Sequence, residues 1–168
     1  MPKLIILRGN SGSGKSTVAK QIANSARHKM AIIDADVYRV EMLYPKPIIK
    51  DDFAELMQQN VLYCLGKGYD VIWDSIFHAN ERNKSYLGNF LKTLHPYENY
   101  IFNFKTSFDE TVKRHGLRSK GNDFGISEMR EWYLPNEELG YDFEHTIPES
   151  SSMNQTVSFI KSTVWPKS

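Results

Sequence analysis

Short apolar runs alternate with amphipathic segments along this chain. The apolar runs predict five buried strands, the last of them the weakest, at Leu4–Leu7, Ala31–Ile33, Tyr69–Trp73, Tyr100–Phe104 and His145–Ile147. Apolar residues recur at helical spacing in the segments between and after them, at Lys15–Ala26, Asp51–Leu65, Asn80–Leu94 and Ser152–Val164. Strands and helices in this rhythm form βαβ units with right-handed crossovers. The pattern therefore predicts an α/β fold with a five-stranded, mostly parallel sheet.

Several of these helices carry recognisable end signals. Asn80 is placed to cap the third helix, and Ser152 with Gln155 fits a capping box at the start of the last one. Gly66 and Gly68 are expected to end the second helix.

Composition narrows the class of protein. The chain has 168 residues with 40% hydrophobic and 24% charged side chains, which is typical of one globular domain, and no linker divides it. We therefore expect a single domain over 1–168. A formal net charge of +1 provides no global field for a polyanion or an anionic membrane.

The cysteine content and the N-terminus bear on the compartment. Cys64 is the sole cysteine and has no intramolecular disulfide partner. The apolar run at the N-terminus, Leu4–Leu7, is too short for a signal peptide or a membrane span. We expect a cytoplasmic protein that does not contact a membrane.

A phosphate-binding loop follows the first strand directly. The residues Gly9, Asn10, Ser11, Gly12, Ser13, Gly14, Lys15 and Ser16 match G-x-x-x-x-G-K-[ST] in full. The loop opens a helix, so its backbone N–H groups and the helix dipole favour phosphate oxygens. Lys15 is expected to reach the β- and γ-phosphates, Ser16 to ligate Mg²⁺, and Thr17 to lie beside it. The alternative is a glycine-rich turn that matches by chance.

The nucleotide predicted from these residues is ATP with Mg²⁺. The pair Asn83-Lys84 lacks the aspartate that a GTPase places two residues later to recognise guanine. The five histidines and the cysteine have no zinc-ligand spacing.

Carboxylates follow the second and third strands. Because ligands bind at the carboxyl ends of parallel strands, Asp36 and Asp74 are expected to face the phosphate loop. Asp36 is a candidate general base, Arg39 a candidate clamp for the acceptor, and Asp74 a candidate that holds a Mg²⁺-bound water or orients Arg39. Helix capping or turn formation is the alternative role for Asp34 and Asp36.

A basic segment lies further along the chain. Arg114 and Arg118 are four residues apart, where a helix end meets a glycine-containing loop. They are candidates to neutralise charge on the transferred phosphoryl group, with residues 115–125 as a mobile lid. The alternative is that both arginines are solvated surface charges.

These elements together resemble the small P-loop phosphotransferases, which include gluconate kinase, chloramphenicol phosphotransferase and the kinase half of 5′-hydroxyl polynucleotide kinase. The resemblance covers about residues 1–135 and is carried by Gly9–Ser16, Asp36–Arg39, Asp74 and the arginines Arg114 and Arg118, in the same order. It implies a P-loop NTPase-type three-layer sandwich with a lid. It also implies Asp36 as general base, Arg39 as an acceptor contact, Asp74 as its positioning partner and Arg118 as the lid arginine.

Three functions remain open at this point. The favoured one is transfer of the γ-phosphoryl group of Mg·ATP to a hydroxyl of a small metabolite, nucleoside or antibiotic. The second is phosphorylation of nucleic-acid 5′ ends, which is less favoured because 41–52 mixes acidic and basic residues and has no basic stripe. The third is a nucleotide-dependent switch without an acceptor.

Overall fold

A computed structural model describes residues 1–43, 51–116, 125–135 and 137–166, with the backbone alone at residues 51 and 52. Its strands are β1 (Lys3–Arg8), β2 (Met30–Asp34), β3 (Asp70–Ser75), β4 (Glu98–Lys105) and β5 (Glu144–Pro148). They form one sheet in the order β2-β3-β1-β4-β5, and every pairing is parallel. This confirms the predicted five-stranded α/β fold, including the weakly indicated last strand.

Six α-helices cover the sheet in the described part of the chain. They are α1 (Lys15–Asn24), α2 (Asp51–Gly66), α3 (Glu81–Lys92), α4 (Phe108–Gly116), α5 (Ile126–Trp132) and α6 (Met153–Val164). The expected caps are present: Asn80 accepts a hydrogen bond from the backbone of Asn83, and Ser152 forms a capping box with Gln155. A π-helical segment, Val37–Met42, follows β2 and was not predicted.

The two faces of the sheet bury separate apolar clusters. Along β1, Leu4 and Ile6 point into a cluster with α2 and α3, whereas Ile5 and Leu7 point into one with α1 and α6. This alternation follows from the period of two along a strand. The sheet is therefore the middle layer of three, and its carboxyl edge is shared by both faces.

Within the described residues, no helix is long and apolar enough to cross a membrane. The cytoplasmic compartment and the single-domain organisation stay predictions.

Candidate active site

The phosphate loop lies between β1 and α1, as the motif predicts. Gly9, Gly12 and Gly14 all have positive φ, at 147°, 83° and 98°. Gly9 also packs closely, because a Cβ added there would lie 2.8 Å from the carbonyl oxygen of Phe104. Glycine is required at this position both for the backbone conformation and for the approach of β4.

We expect Gly9→Ala to lower the free energy of unfolding by about 2–4 kcal/mol, since it combines strained φ with a clash against backbone. Urea denaturation measures the loss. Gly116→Ala is the matched control, because a Cβ at Gly116 meets no atom within 4 Å. Equal stability of the two variants would contradict the close packing at Gly9.

The Lys15 amino group is held by the loop itself. Its Nζ donates to the carbonyl oxygens of Gly9 at 2.8 Å and Asn10 at 2.9 Å, and it lies 3.3 Å from the hydroxyl of Ser13. The side chain is buried. A cation stored in this way on backbone carbonyls is in position to move to phosphate oxygens.

Asp74 lies beside the start of α1, where a metal-bound water is expected. The side chain is only 3% exposed, and its Oδ2 has no hydrogen-bond partner. Burial raises the pKa of Asp74, while Lys15 and a hydrogen bond from Ser16 oppose that rise. The neighbouring strand places Asp34 opposite Asp74 in register, and burial also raises the pKa of Asp34.

These residues fit Mg²⁺ bound mainly through phosphate oxygens and water. Mg²⁺ in such sites takes one or two protein ligands; here the Ser16 hydroxyl would be the candidate ligand, and the unpartnered Oδ2 of Asp74 would be available for a coordinated water. Among the described residues no group of three or more acidic, histidine or cysteine side chains is arranged to hold a metal.

The charge on Asp74 has a predictable cost to stability. Because the pKa of Asp74 is higher in the folded protein than in the unfolded chain, the ionised carboxylate destabilises the folded state. This destabilisation is absent at pH values below the unfolded-state pKa and complete at pH values above the folded-state pKa. We expect Asp74→Asn to raise the free energy of unfolding of the nucleotide-free protein by about 1 kcal/mol at pH 7. Thermal unfolding across pH measures this gain, which should vanish in acid. A loss of stability at pH 7 would contradict it.

Asp36 and Asp34 differ in their local roles. Asp34 Oδ1 accepts a hydrogen bond from the backbone N–H of Asp36 at 2.9 Å, so Asp34 takes the turn-forming role. Asp36 stands at the N-cap position of the π-helical segment but makes no capping hydrogen bond. Its carboxylate instead pairs with Arg39 at 2.9 Å, and both side chains are exposed. The D-x-x-R element is thus a solvent-facing ion pair.

A cavity of about 530 Å³ opens on the other side of the loop, between the ends of β4 and β5 and the start of α6. It is lined by Gly12 and Thr17 of the loop and first helix, by Phe104 and Ile147, and by Arg114. A nucleobase and ribose next to the phosphates would fit this space, whose lining combines apolar side chains such as Phe104 and Ile147 with polar ones such as Thr106.

Arg114 is anchored to the phosphate loop. Its Nη1 donates to the carbonyl oxygen of Ser13 at 2.9 Å, its Nη2 to that of Glu149 at 2.8 Å, and its Nε to Glu110 at 2.8 Å. Arg114 therefore lies against the phosphate loop, and its role at the transferred phosphoryl group stays a prediction. Arg118 and most of the predicted lid at 115–125 lie outside the described residues.

The sequence analysis missed a polar cluster next to the loop. Arg8, the residue before Gly9, is fully buried and pairs with Glu144 at 2.6 Å. Asn10 was predicted only as a member of the loop, yet its side chain binds the backbone of Leu134. The one available signal was a charged residue at the end of the apolar run of β1.

Solved structures with this fold include kinases. Over 97% of this chain and 97% of the other, the structure is similar to Mycobacterium tuberculosis APS kinase CysC in complex with AMPPNP and APS, with TM-score 0.76 and 15% identity. A gluconokinase from Sinorhizobium meliloti 1021 gives TM-score 0.66 and 18% identity over 97% and 91%. A chain of the Pnkp1/Rnl/Hen1 RNA repair complex gives 0.58 and 22% over 84% and 50%. At these identities the likeness shows the fold, which is that of the P-loop NTPases.

The sequence comparisons identify the family. No curated protein sequence matches the chain. The family model described as AAA domain matches residues 4–128, which include the phosphate loop, the Asp36–Arg39 element and Asp74. The chain therefore belongs to the AAA domain family.

Proposed function

We propose that this protein is an ATP-dependent kinase that transfers the γ-phosphoryl group to a hydroxyl of a small molecule. The observation that carries the proposal is the placement of a complete phosphate loop between a base-sized cavity and a carboxylate edge. The cavity lies towards β4 and β5, whereas Asp34, Asp36 and Asp74 lie at the ends of β2 and β3. A nucleotide in the cavity would direct its γ-phosphate towards the carboxylates.

The steps follow from the side chains. Asp36 would accept the proton of the attacking hydroxyl, because it is exposed and has no capping role. Lys15, Arg114 and Arg118 would stabilise the charge of the transferred group, and ADP would be the leaving group; a Mg²⁺ held by Ser16 would neutralise charge on the phosphates. Arg39, which pairs with Asp36 in the structure, would break this ion pair and contact the acceptor instead.

The test is transfer of label from γ-labelled ATP to a pool of hydroxyl metabolites and nucleosides, to gluconate, and to a 5′-hydroxyl oligonucleotide. We expect Mg²⁺-dependent transfer to a small acceptor. ATP binding without transfer to any alcohol would favour the nucleotide-dependent switch, and absence of ATP binding would refute the phosphate-loop assignment.

The second candidate is a 5′-hydroxyl polynucleotide kinase. It is favoured by the order of motifs and by the likeness over 84% of this chain to a protein of an RNA repair complex. Binding to a nucleic-acid backbone weakens steeply with salt, so transfer to the oligonucleotide should fall between 50 and about 200 mM salt. A salt-insensitive reaction on a small acceptor separates the two functions.

A further inference from the structure

The segment that leads from α5 to β5 crosses the sheet beside the phosphate loop. We call residues 133–140 the strap; the structure describes all of it except residue 136. Leu139 belongs to the apolar cluster on the α2 and α3 face. Tyr141, which directly follows the strap, packs against α3, because a Cβ added at Gly88 would lie 3.0 Å from the hydroxyl oxygen of Tyr141. The end of the strap at Leu139 therefore lies on the face opposite to α1 and α6, whereas Tyr133 at its start donates a hydrogen bond to the carbonyl oxygen of Thr106, a residue of the cavity lining.

Arg8 ties this strap to the end of β3. Its Nη2 donates to the carbonyl oxygen of Glu137 at 2.8 Å, and its Nε donates to that of Phe77, in the β3–α3 connection, at 2.8 Å. Its Nη1 pairs with Glu144 at 2.6 Å. The other carboxylate oxygen of Glu144 accepts from the N–H groups of Leu139 at 2.6 Å and Gly140 at 3.0 Å.

Asn10 ties the same strap to the phosphate loop. Its Nδ2 donates to the carbonyl oxygen of Leu134 at 2.8 Å, and its Oδ1 accepts from the Leu134 N–H at 3.3 Å. The Asn10 carbonyl meanwhile accepts from Lys15. One residue of the loop thus contacts both the phosphate-binding lysine and the strap.

A buried ion pair contributes little net stability, because apolar side chains of similar volume often stabilise a protein equally or more. The guanidinium does what an apolar side chain does not: its rigid set of donors fixes acceptors from separate segments in one plane. At Arg8 these acceptors belong to the strap, the β3–α3 connection and β5. Arg8 therefore determines geometry at the carboxyl edge of the sheet.

The segments that Arg8 holds lie on the side of the loop away from the cavity proposed for the nucleobase. Phe77 and Leu139 pack in the α2 and α3 cluster, as does Tyr38 in the segment that carries Asp36 and Arg39. Phe104 and Ile147, which line the cavity, pack in the cluster of the opposite face. An acceptor that attacks in line with the leaving nucleotide approaches from the Tyr38 side.

We propose that Arg8 and Asn10 are positioning residues, which hold the strap and the β3–α3 connection as two walls of the acceptor site. The inference rests on the proposed kinase function. In this role neither side chain contacts the reacting atoms, and each fixes backbone that would border the acceptor. Exposed apolar side chains stand on both walls, Ile76 on the connection and Leu134 on the strap.

Arg8→Lys is the principal test, made in the full chain. Lysine keeps the charge opposite Glu144 but lacks the fork that reaches Phe77 and Glu137. We expect transfer from γ-labelled ATP to the pooled alcohols to fall by about 10- to 100-fold. The reason is that displaced walls no longer orient the acceptor hydroxyl towards the γ-phosphate. Mg·AMPPNP affinity by calorimetry and release of phosphate to water should change by less than about threefold.

Hydrogen exchange links this loss to the proposed contacts. Arg8→Lys should speed amide exchange in both 75–80 and 133–140, whereas Asn10→Ala should speed it in the strap alone and also reduce transfer. Asn10→Ala keeps the proposal testable if Arg8→Lys does not fold. Asp70→Asn is the control, because Asp70 forms a buried network at the opposite edge of the sheet with Lys3 and Trp165.

The outcomes separate the two proposals. Parallel losses of transfer and of hydrolysis, or unchanged transfer despite faster exchange, would overturn the positioning role and leave the kinase function standing. A wild-type protein that binds AMPPNP but phosphorylates no alcohol would overturn both.

Discussion

Lys15→Ala is expected to reduce the affinity for Mg·AMPPNP by about 30- to 1,000-fold. The variant removes charge-assisted hydrogen bonds to the β- and γ-phosphates, each of which contributes about 1.5–3 kcal/mol, and a tenfold change in affinity corresponds to about 1.4 kcal/mol. In the nucleotide-free structure the same amino group is held by the carbonyl oxygens of Gly9 and Asn10. The variant therefore loses the net binding free energy that is gained when the Lys15 amino group moves from these carbonyl oxygens to the phosphate oxygens.

Isothermal titration calorimetry measures this effect, with urea denaturation to confirm that the variant folds. Lys15→Met is a useful second variant because it retains the volume of the buried side chain. Lys20→Ala is the matched control, since Lys20 lies on the same helix and is exposed. Wild-type affinity and turnover in both Lys15 variants would exclude the loop as a phosphate site.

Lys15 also affects the carboxylates of the site. Its charge opposes the rise in the pKa of Asp74 and of Asp34 that burial causes. Removing the lysine should therefore raise both pKa values further. Loss of the lysine then weakens the metal side of the site as well as the phosphate side.

The nucleotide half of the site was predictable because it is local in sequence. Gly9–Ser16 contains its glycines, its lysine and its candidate metal ligand, the Ser16 hydroxyl, within one strand–loop–helix unit, and the structure forms that unit as expected. Asp74 was predictable for a related reason: the carboxyl ends of parallel strands meet at one edge of the sheet. The apolar runs determined which strands those were.

The contacts of the proposed acceptor site were not predictable, because they join distant parts of the chain. Arg8 and Glu144 are separated by 136 residues, and Asn10 and Leu134 by 124. Nothing in the local pattern pairs them. The π-helical segment Val37–Met42 was missed because six residues with wide turns show no period of 3.6. It nevertheless carries Arg39.

Hydrogen bonding in the structure narrows the alternative roles of the aspartates. The sequence left capping or turn formation open for both Asp34 and Asp36. Asp34 forms the turn, and Asp36 does not cap the segment that follows it. Among the described residues, the structural role that remains for Asp36 is an exposed ion pair with Arg39. Exposed pairs of this kind contribute only about 0–1 kcal/mol.

Asp36→Asn is accordingly expected to slow phosphoryl transfer by about 10²- to 10⁴-fold, the usual contribution of a positioned general base. Asparagine keeps the shape of the side chain and an oxygen for Arg39, so thermal stability should change little. Affinity for Mg·AMPPNP should also be nearly unchanged, because the carboxylate lies on the acceptor side of the loop. The variant therefore separates a chemical role of the carboxylate from a structural one.

The measurement is single-turnover transfer from γ-labelled ATP to the acceptor that the pooled screen identifies, compared across Asp36→Asn, Asp34→Asn and Asp74→Asn. Asp34→Asn should change turnover little, since the amide oxygen of asparagine can still accept the hydrogen bond from the Asp36 backbone that forms the turn. If Asp36→Asn retains full turnover while Asp34→Asn or Asp74→Asn is inactive, the base is Asp34 or Asp74, at the ends of β2 and β3. Arg39 would then face the acceptor without a catalytic partner three residues before it.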